Sequence, residues 1–240
     1  MTPTLLFLPG TLCDARVWAA PQGALSDDWR GVHVDYRLEK SIADMASVAL
    51  ATTTGPIIPV GFSMGAIVAL EMWKQAAQRV AALALFAFDP GADTVARQQN
   101  RERHVREATR GNLRAVLREE FLPTYFYDAN SHARDTVMAM ALDQGANAFA
   151  AQAEALANRE NNWPTLGTIT VPTLIAYGVD DRICTPAIHQ KMATSISQAT
   201  LCAIRSAGHM LTLEQPVAVT NALQGFLSAH PMKIQNRLET

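Results

Sequence analysis

The chain has 240 residues, 49% of them hydrophobic and 18% charged, with a formal net charge of −2. That balance fits a folded domain with a sizeable core, excludes a disordered chain, and offers no basic surface for nucleic acid. No run reaches the ~18 uncharged apolar residues of a membrane span, so no membrane insertion and a cytoplasmic protein are expected. Cys13, Cys184 and Cys202 show neither paired nor metal-type spacing and read as packing thiols of a reducing compartment.

In chain order, residues 4–8 form a short apolar run that lacks the basic start and cleavage site of a secretory leader, and they read as a strand. The loop Pro9-Gly10-Thr11-Leu12 follows it. Residues 31–36 and 57–60 are the next two strand runs, and the third leads into Gly61-Phe62-Ser63-Met64-Gly65 and a helix-like stretch at 66–73. A fourth run lies at 83–88. From about Asp89 to Pro164 the chain is strand-free, with helical periodicity punctuated at Gly111-Asn112, Pro123 and 128–131, which predicts three or four short helices. Runs at 173–177 and 200–204 then resume the sheet, and residues 216–227 predict a closing amphipathic helix with Val217, Val219, Ala222, Leu223, Phe226 and Leu227 toward the core. A frayed tail is expected after Pro231.

Short apolar runs alternating with helices predict a mainly parallel sheet covered on both faces. Ligands of such sheets bind beyond the carboxyl ends of the strands, so chemistry is expected in the loops that follow the runs. A serine hydroxyl is a poor nucleophile unless a sharp turn exposes it and a base lies within reach. Ser63 sits at such a strand-turn-helix junction, flanked by glycines. Of the six histidines, His209 alone follows a late strand run in a loop, whereas His33, His104, His132, His189 and His230 fall in a strand, the insertion, a helix or the tail. A carboxylate must orient the imidazole, and Asp181 in Gly178-Val179-Asp180-Asp181 is the first choice, with Asp180 and Asp89 left open. The backbone N–H groups of Thr11 and Met64 are the expected oxyanion donors.

Taken together, the motifs resemble the α/β-hydrolase superfamily, in its branch of small capped serine esterases and lyases. The resemblance rests on Leu8-Pro9-Gly10-Thr11-Leu12, on the Gly61–Gly65 elbow, on Gly178-x-x-Asp181 and on Ala207-Gly208-His209 with Glu214-x-Pro216. It implies an α/β fold with about six strands, a core at 1–88 and 165–240 lacking the N-terminal hairpin, and a helical cap insertion at 89–164. Two departures stand out: Pro9 occupies a place where His is common, and residues 35–41 replace a glycine-rich loop.

The implied activity is cleavage of a small carboxylic ester or thioester through an acyl-enzyme on Ser63, with His209 and Asp181 completing the triad and no metal or organic cofactor. C–C bond hydrolysis or a lyase reaction on the same triad is the first alternative, and a non-catalytic ligand sensor is the second. Leu12 and Tyr125 are expected to contact the small-molecule acyl substrate; Met138, Met140 and Phe149 fit a lining of the acyl pocket or packing between cap and core equally well. Seven arginines fall between Arg97 and Arg118. They read as a salt-bridged surface, while one or two of them, or Arg159, are candidates for holding a substrate carboxylate or phosphate. Nothing in the sequence sets the oligomeric state.

Overall fold

The computed structural model describes residues 2–26, 29–36, 38–129 and 131–230. Arg37, within the sequence segment 35–41, and the tail expected to fray lie outside the described residues.

Six strands, β1 (Thr4–Leu8), β2 (Gly31–His33), β3 (Ile57–Phe62), β4 (Leu83–Phe86), β5 (Thr173–Gly178) and β6 (Ala199–Ile204), form one sheet in the order β2-β1-β3-β4-β5-β6. Every neighbouring pair is parallel. β1, β3, β4 and β5 are buried along their whole length, as strands covered on both faces must be, whereas the edge strands β2 and β6 are partly open. Successive side chains alternate between two cores: Leu6, Leu8, Leu83, Leu85 and Ile175 pack on one face, and Leu5, Phe7, Ala84, Phe86 and Leu174 on the other. The first face is covered by the helices Ile42–Ala51, Met64–Ala76 and Pro186–Ser195, and the second by Ala19–Gly23 and Pro216–Ala229. On the second face Trp18 packs its ring against Phe7, Phe62 and Phe86.

Between β4 and β5 every regular element is helical, among the described residues. The helix Val95–Glu107 runs through a wide turn to Gly111, where φ reaches 94 and the direction changes, as its glycine and the following Asn112 predict. The helical run Ala133–Ala157 is broken at Gly145, φ 81, a kink that the alanine-rich sequence on either side conceals. Leu12 joins Leu113, Leu117, Ala141 and Phe149 in a third small core that ties this insertion to the loop after β1.

The C-terminal helix spans Pro216–Ala229 and buries Val219, Leu223, Phe226 and Leu227, while Ala222 is half-buried. Val217 departs from expectation and is 72% exposed, because a step of two residues from Val219 turns it to the opposite side of the helix. Among the described residues, no helix is long and apolar enough to cross a membrane.

Candidate active site

The buried strand β3 delivers the chain into Ser63, which takes φ 53 and ψ −114. A serine stays in that sparsely populated region only where its surroundings hold it. Its N–H donates to the Phe86 carbonyl at 2.9 Å, and its carbonyl accepts the Ala66 N–H at 3.0 Å as the helix begins. The next element passes so close that a Cβ at Gly65 would collide with the Leu8 and Pro9 carbonyls. Gly65 therefore lets the loop after β1 lie across the start of the Met64–Ala76 helix. Gly178 serves in the same way at the end of β5, where a Cβ would collide with the Ala207 and Gly208 carbonyls.

That second close approach brings the loop after β6 to the elbow. His209 is 4% exposed, its Nε2 lies 3.0 Å from Ser63 Oγ, and its Nδ1 lies 2.9 Å from Asp181 Oδ2. The other carboxylate oxygen, Asp181 Oδ1, accepts the N–H groups of Ile183 at 2.8 Å and Cys184 at 2.9 Å. Burial alone would raise the Asp181 carboxyl, but the attraction of His209 and these three donated hydrogen bonds together hold it below its ordinary value. Asp180 is half-buried, with its N–H given to the Ala207 carbonyl at 3.0 Å. Asp89 accepts the Gly91 N–H and pairs with Arg97. Of the three candidate carboxylates, Asp181 is the one hydrogen-bonded to His209.

Two backbone donors flank Ser63. Met64 opens its helix, where an N–H has no intrahelical partner, and neither it nor the Thr11 N–H has a protein acceptor among the described residues. The two residues are neighbours: the Thr11 hydroxyl donates to Met64 Sδ at 3.8 Å. The next N–H along, that of Leu12, is already donated to Gln152 Oε1 at 2.8 Å.

A cavity of about 250 Å³ opens over Ser63, lined from the core by Thr11, Phe62, Met64, Phe88 and His209, and from the insertion by Tyr125 and Phe149. Tyr125 stacks obliquely near the His209 ring, with centroids 5.7 Å apart. Leu12, Met138 and Met140 are not among the lining residues. Leu12 turns into the third core, Met140 is fully buried in the second, and Met138 packs on both.

The arginines divide. Arg103, Arg110 and Arg118 pair with Glu120, Glu107 and Glu119 on the surface, as the alternating charges predict. Arg97, Arg101 and Arg159 instead line the cavity. Arg97 pairs with Asp89 at 2.8 Å, while Arg101 and Arg159 both bind the buried carboxylate of Asp93, at 2.5 and 2.6 Å. Sequence reasoning missed Asp93 and Gln152. Gln152 carried a readable signal, since it shares one helical face with Ala148, Ala155 and Leu156 and is itself 2% exposed.

The histidines outside the site are structural or peripheral. His189 is fully buried behind Asp181, and His104, at the cavity edge, lies 3.6 Å from Glu120. Cys13, Cys184 and Cys202 are free thiols, and burial raises all three, Cys13 to about 12. Asp181, Cys184 and His209 bring potential metal-ligand atoms within 4.8 Å of one another. Burial pushes the Cys184 thiol well above its ordinary value, Asp181 occupies His209 Nδ1, and the Cys184 backbone N–H is given to Asp181, so these groups serve the hydrogen bonding of the site.

A model of the Alpha/beta hydrolase family matches residues 5–223. No curated protein sequence gives a significant match. Among solved structures, a malate-bound thermophilic esterase from Thermogutta terrifontis is 25% identical with a TM-score of 0.87, covering 96% of this chain and 91% of that one. MenH from S. aureus is 21% identical, with a TM-score of 0.86 over 95% of this chain and 94% of its own. The enol-lactonase from Burkholderia xenovorans LB400 is 21% identical, with a TM-score of 0.81 over 95% and 92%.

Proposed function

The chain belongs to the alpha/beta hydrolase family, and on that premise we propose that it is a serine hydrolase of small carboxylic esters or thioesters, working through Ser63, His209 and Asp181. The observation that carries this reading is the continuous relay from Asp181 Oδ2 through His209 to Ser63 Oγ, at 2.9 and 3.0 Å, opening on a cavity with two unengaged N–H groups beside the serine. In that arrangement Ser63 Oγ attacks the acyl carbon while His209 Nε2 accepts its proton. The oxyanion that forms faces the Thr11 and Met64 N–H groups, and the tetrahedral adduct collapses as His209 protonates the departing alcohol or thiol. Water, deprotonated by His209, then attacks the acyl-enzyme, and the adduct collapses to the free acid as His209 returns the proton to Ser63 Oγ. Asp181 stays ionised throughout and stabilises the imidazolium. The helical insertion, residues 89–164, acts as a cap whose side chains complete the cavity over a core formed by 1–88 and 165–240.

The test is Ser63→Ala with labelling by a fluorophosphonate. Activity on p-nitrophenyl esters should fall by about 10³-fold or more, and the label should attach to Ser63 alone. Retained activity in the variant, or a wild-type protein that resists labelling, overturns the assignment.

A further inference from the structure

We propose that the substrate carries a second, free carboxylate, and that Arg101 and Arg159 bind it in the cavity; the inference rests on the serine-hydrolase reading above.

At the end of the cavity away from the Asp181–His209 pair, the charges do not balance. Three guanidinium groups, on Arg97, Arg101 and Arg159, face two carboxylates, on Asp89 and Asp93. Arg97 and Asp89 close as a pair. Arg101 and Arg159 must share Asp93, whose side chain is fully buried, and the Arg159 side chain is itself only 3% exposed. A guanidinium withdrawn from water with half a counter-ion is costly to keep. Burial pulls Arg159 below its ordinary range, and the Asp93 carboxylate does not fully restore it.

Among the described residues, the hydrogen bonds leave donors in hand. Arg159 spends Nε on the Gly91 carbonyl and Nη1 on the Leu156 carbonyl and Asp93, so Nη2 remains. Arg101 spends Nε and Nη2 on Asp93, so Nη1 remains. Both residues line the same cavity as Ser63 and His209, while Arg103, two residues along the same helix, pairs outward with Glu120. A surplus of one positive charge matches a carboxylate monoanion. A phosphate monoester, at roughly −1.5 to −2, would overcompensate it.

The experiment compares the mono-p-nitrophenyl ester of glutaric acid with p-nitrophenyl pentanoate, a neutral ester of the same chain length. In parallel, glutarate, glutaramide and inorganic phosphate are tested for raising Tm and slowing fluorophosphonate labelling of Ser63. The wild-type protein should favour the anionic ester by about tenfold or more in kcat/KM, the preference should vanish in Arg101→Gln, and Arg101→Lys should recover part of it. Glutarate alone should raise Tm and protect Ser63.

Equal turnover of the two esters, with glutarate without effect, overturns the carboxylate site and leaves the hydrolase reading standing. Phosphate protecting as well as glutarate overturns the choice of carboxylate. Absence of turnover and labelling sinks the hydrolase reading instead; the Tm arm then decides, since a glutarate shift abolished by Arg101→Gln retains the site and no shift removes it. Where Arg101→Gln fails to fold, the wild-type measurements decide alone.

Discussion

Gln152, on the long helical run of the insertion, accepts the backbone N–H of Leu12 at 2.8 Å across 140 residues of sequence. Leu12 holds φ 56, and the residue before it is Thr11, which lines the cavity and whose N–H has no acceptor among the described residues. The insertion thus fixes the loop that carries Thr11, the residue proposed above to supply one oxyanion donor. Gln152→Leu keeps the bulk and leaves the Leu12 N–H buried without an acceptor, at a cost of about 1–3 kcal/mol in stability. If the loop then relaxes, kcat on a neutral ester falls by about 10- to 100-fold while KM moves little, because the interaction is made in the transition state. Steady-state kinetics and denaturant titration read both effects; a kcat within about twofold of wild type would show that Thr11 is positioned without the insertion.

Glu214 makes a second link between insertion and core. One carboxylate oxygen accepts the Gly208 N–H at 2.7 Å, and the other accepts the Tyr127 N–H at 2.8 Å. The Met210 N–H adds a bond to the Tyr125 carbonyl at 3.1 Å, so both sides of His209 are tied to the segment that carries Tyr125. Glu214→Gln replaces one acceptor by an NH₂ group facing an N–H, with a loss of about 1–3 kcal/mol. kcat/KM should fall by about tenfold as His209 loses its fixed position, and limited proteolysis should cut near Tyr127 more readily. Unchanged kinetics and unchanged cleavage would mean that the Met210–Tyr125 bond suffices.

The strand pattern and the two local motifs were legible because each depends on neighbours in sequence. β1 ends where the apolar run ends, and Ser63 and His209 occupy the turns that their glycines mark. The misjudged ends have physical causes beyond the run itself. The run at 83–88 leaves the sheet after Phe86 because Ala87 takes φ 47, and the run at 31–36 leaves after His33 as Tyr36 swings its hydroxyl to the Pro9 carbonyl at 2.6 Å. Long-range charge partners were not legible. Asp93 is one acidic residue among many until Arg101 and Arg159 converge on it, and no sequence spacing separates Asp181 from Asp180 before the imidazole arrives.

The choice between those two carboxylates is testable by a tautomer argument. Asp181 Oδ1 already takes two backbone N–H groups, so in Asp181→Asn the amide oxygen must stay there and the NH₂ must face His209 Nδ1. The imidazole is then driven to carry its proton on Nε2, where it cannot accept one from Ser63. kcat should drop by about 10⁴-fold with the fold intact, while Asp180→Asn stays within about threefold of wild type. Comparable losses in both variants would move the orienting role away from Asp181.

Behind the site, His189 sets a dependence of stability on pH. It is fully buried, stacked on Tyr177 with centroids 4.9 Å apart, and its Nε2 accepts the Phe88 N–H at 3.1 Å while Nδ1 donates to the Thr185 carbonyl at 3.0 Å. Those two partners fix the neutral tautomer, since a proton on Nε2 would set donor against donor. Burial lowers its pKa, outweighing the Thr185 carbonyl and the Asp181 carboxylate, which pull the other way. The unfolded chain therefore takes up a proton below its ordinary value of about 6.5 that the folded chain refuses, and stability falls as pH falls from there until the folded pKa is reached. The slope from this one group is at most about 1.4 kcal/mol per pH unit. His33 and His104, also lowered by burial, add slopes of the same sign, so wild type is compared with His189→Phe. The variant loses about 1–3 kcal/mol at pH 7.5 by orphaning the Phe88 N–H, and its deficit should narrow toward pH 5.5 because it no longer resists protonation. Denaturant titrations at both pH values measure the two deficits, and equal deficits would remove His189 from the account.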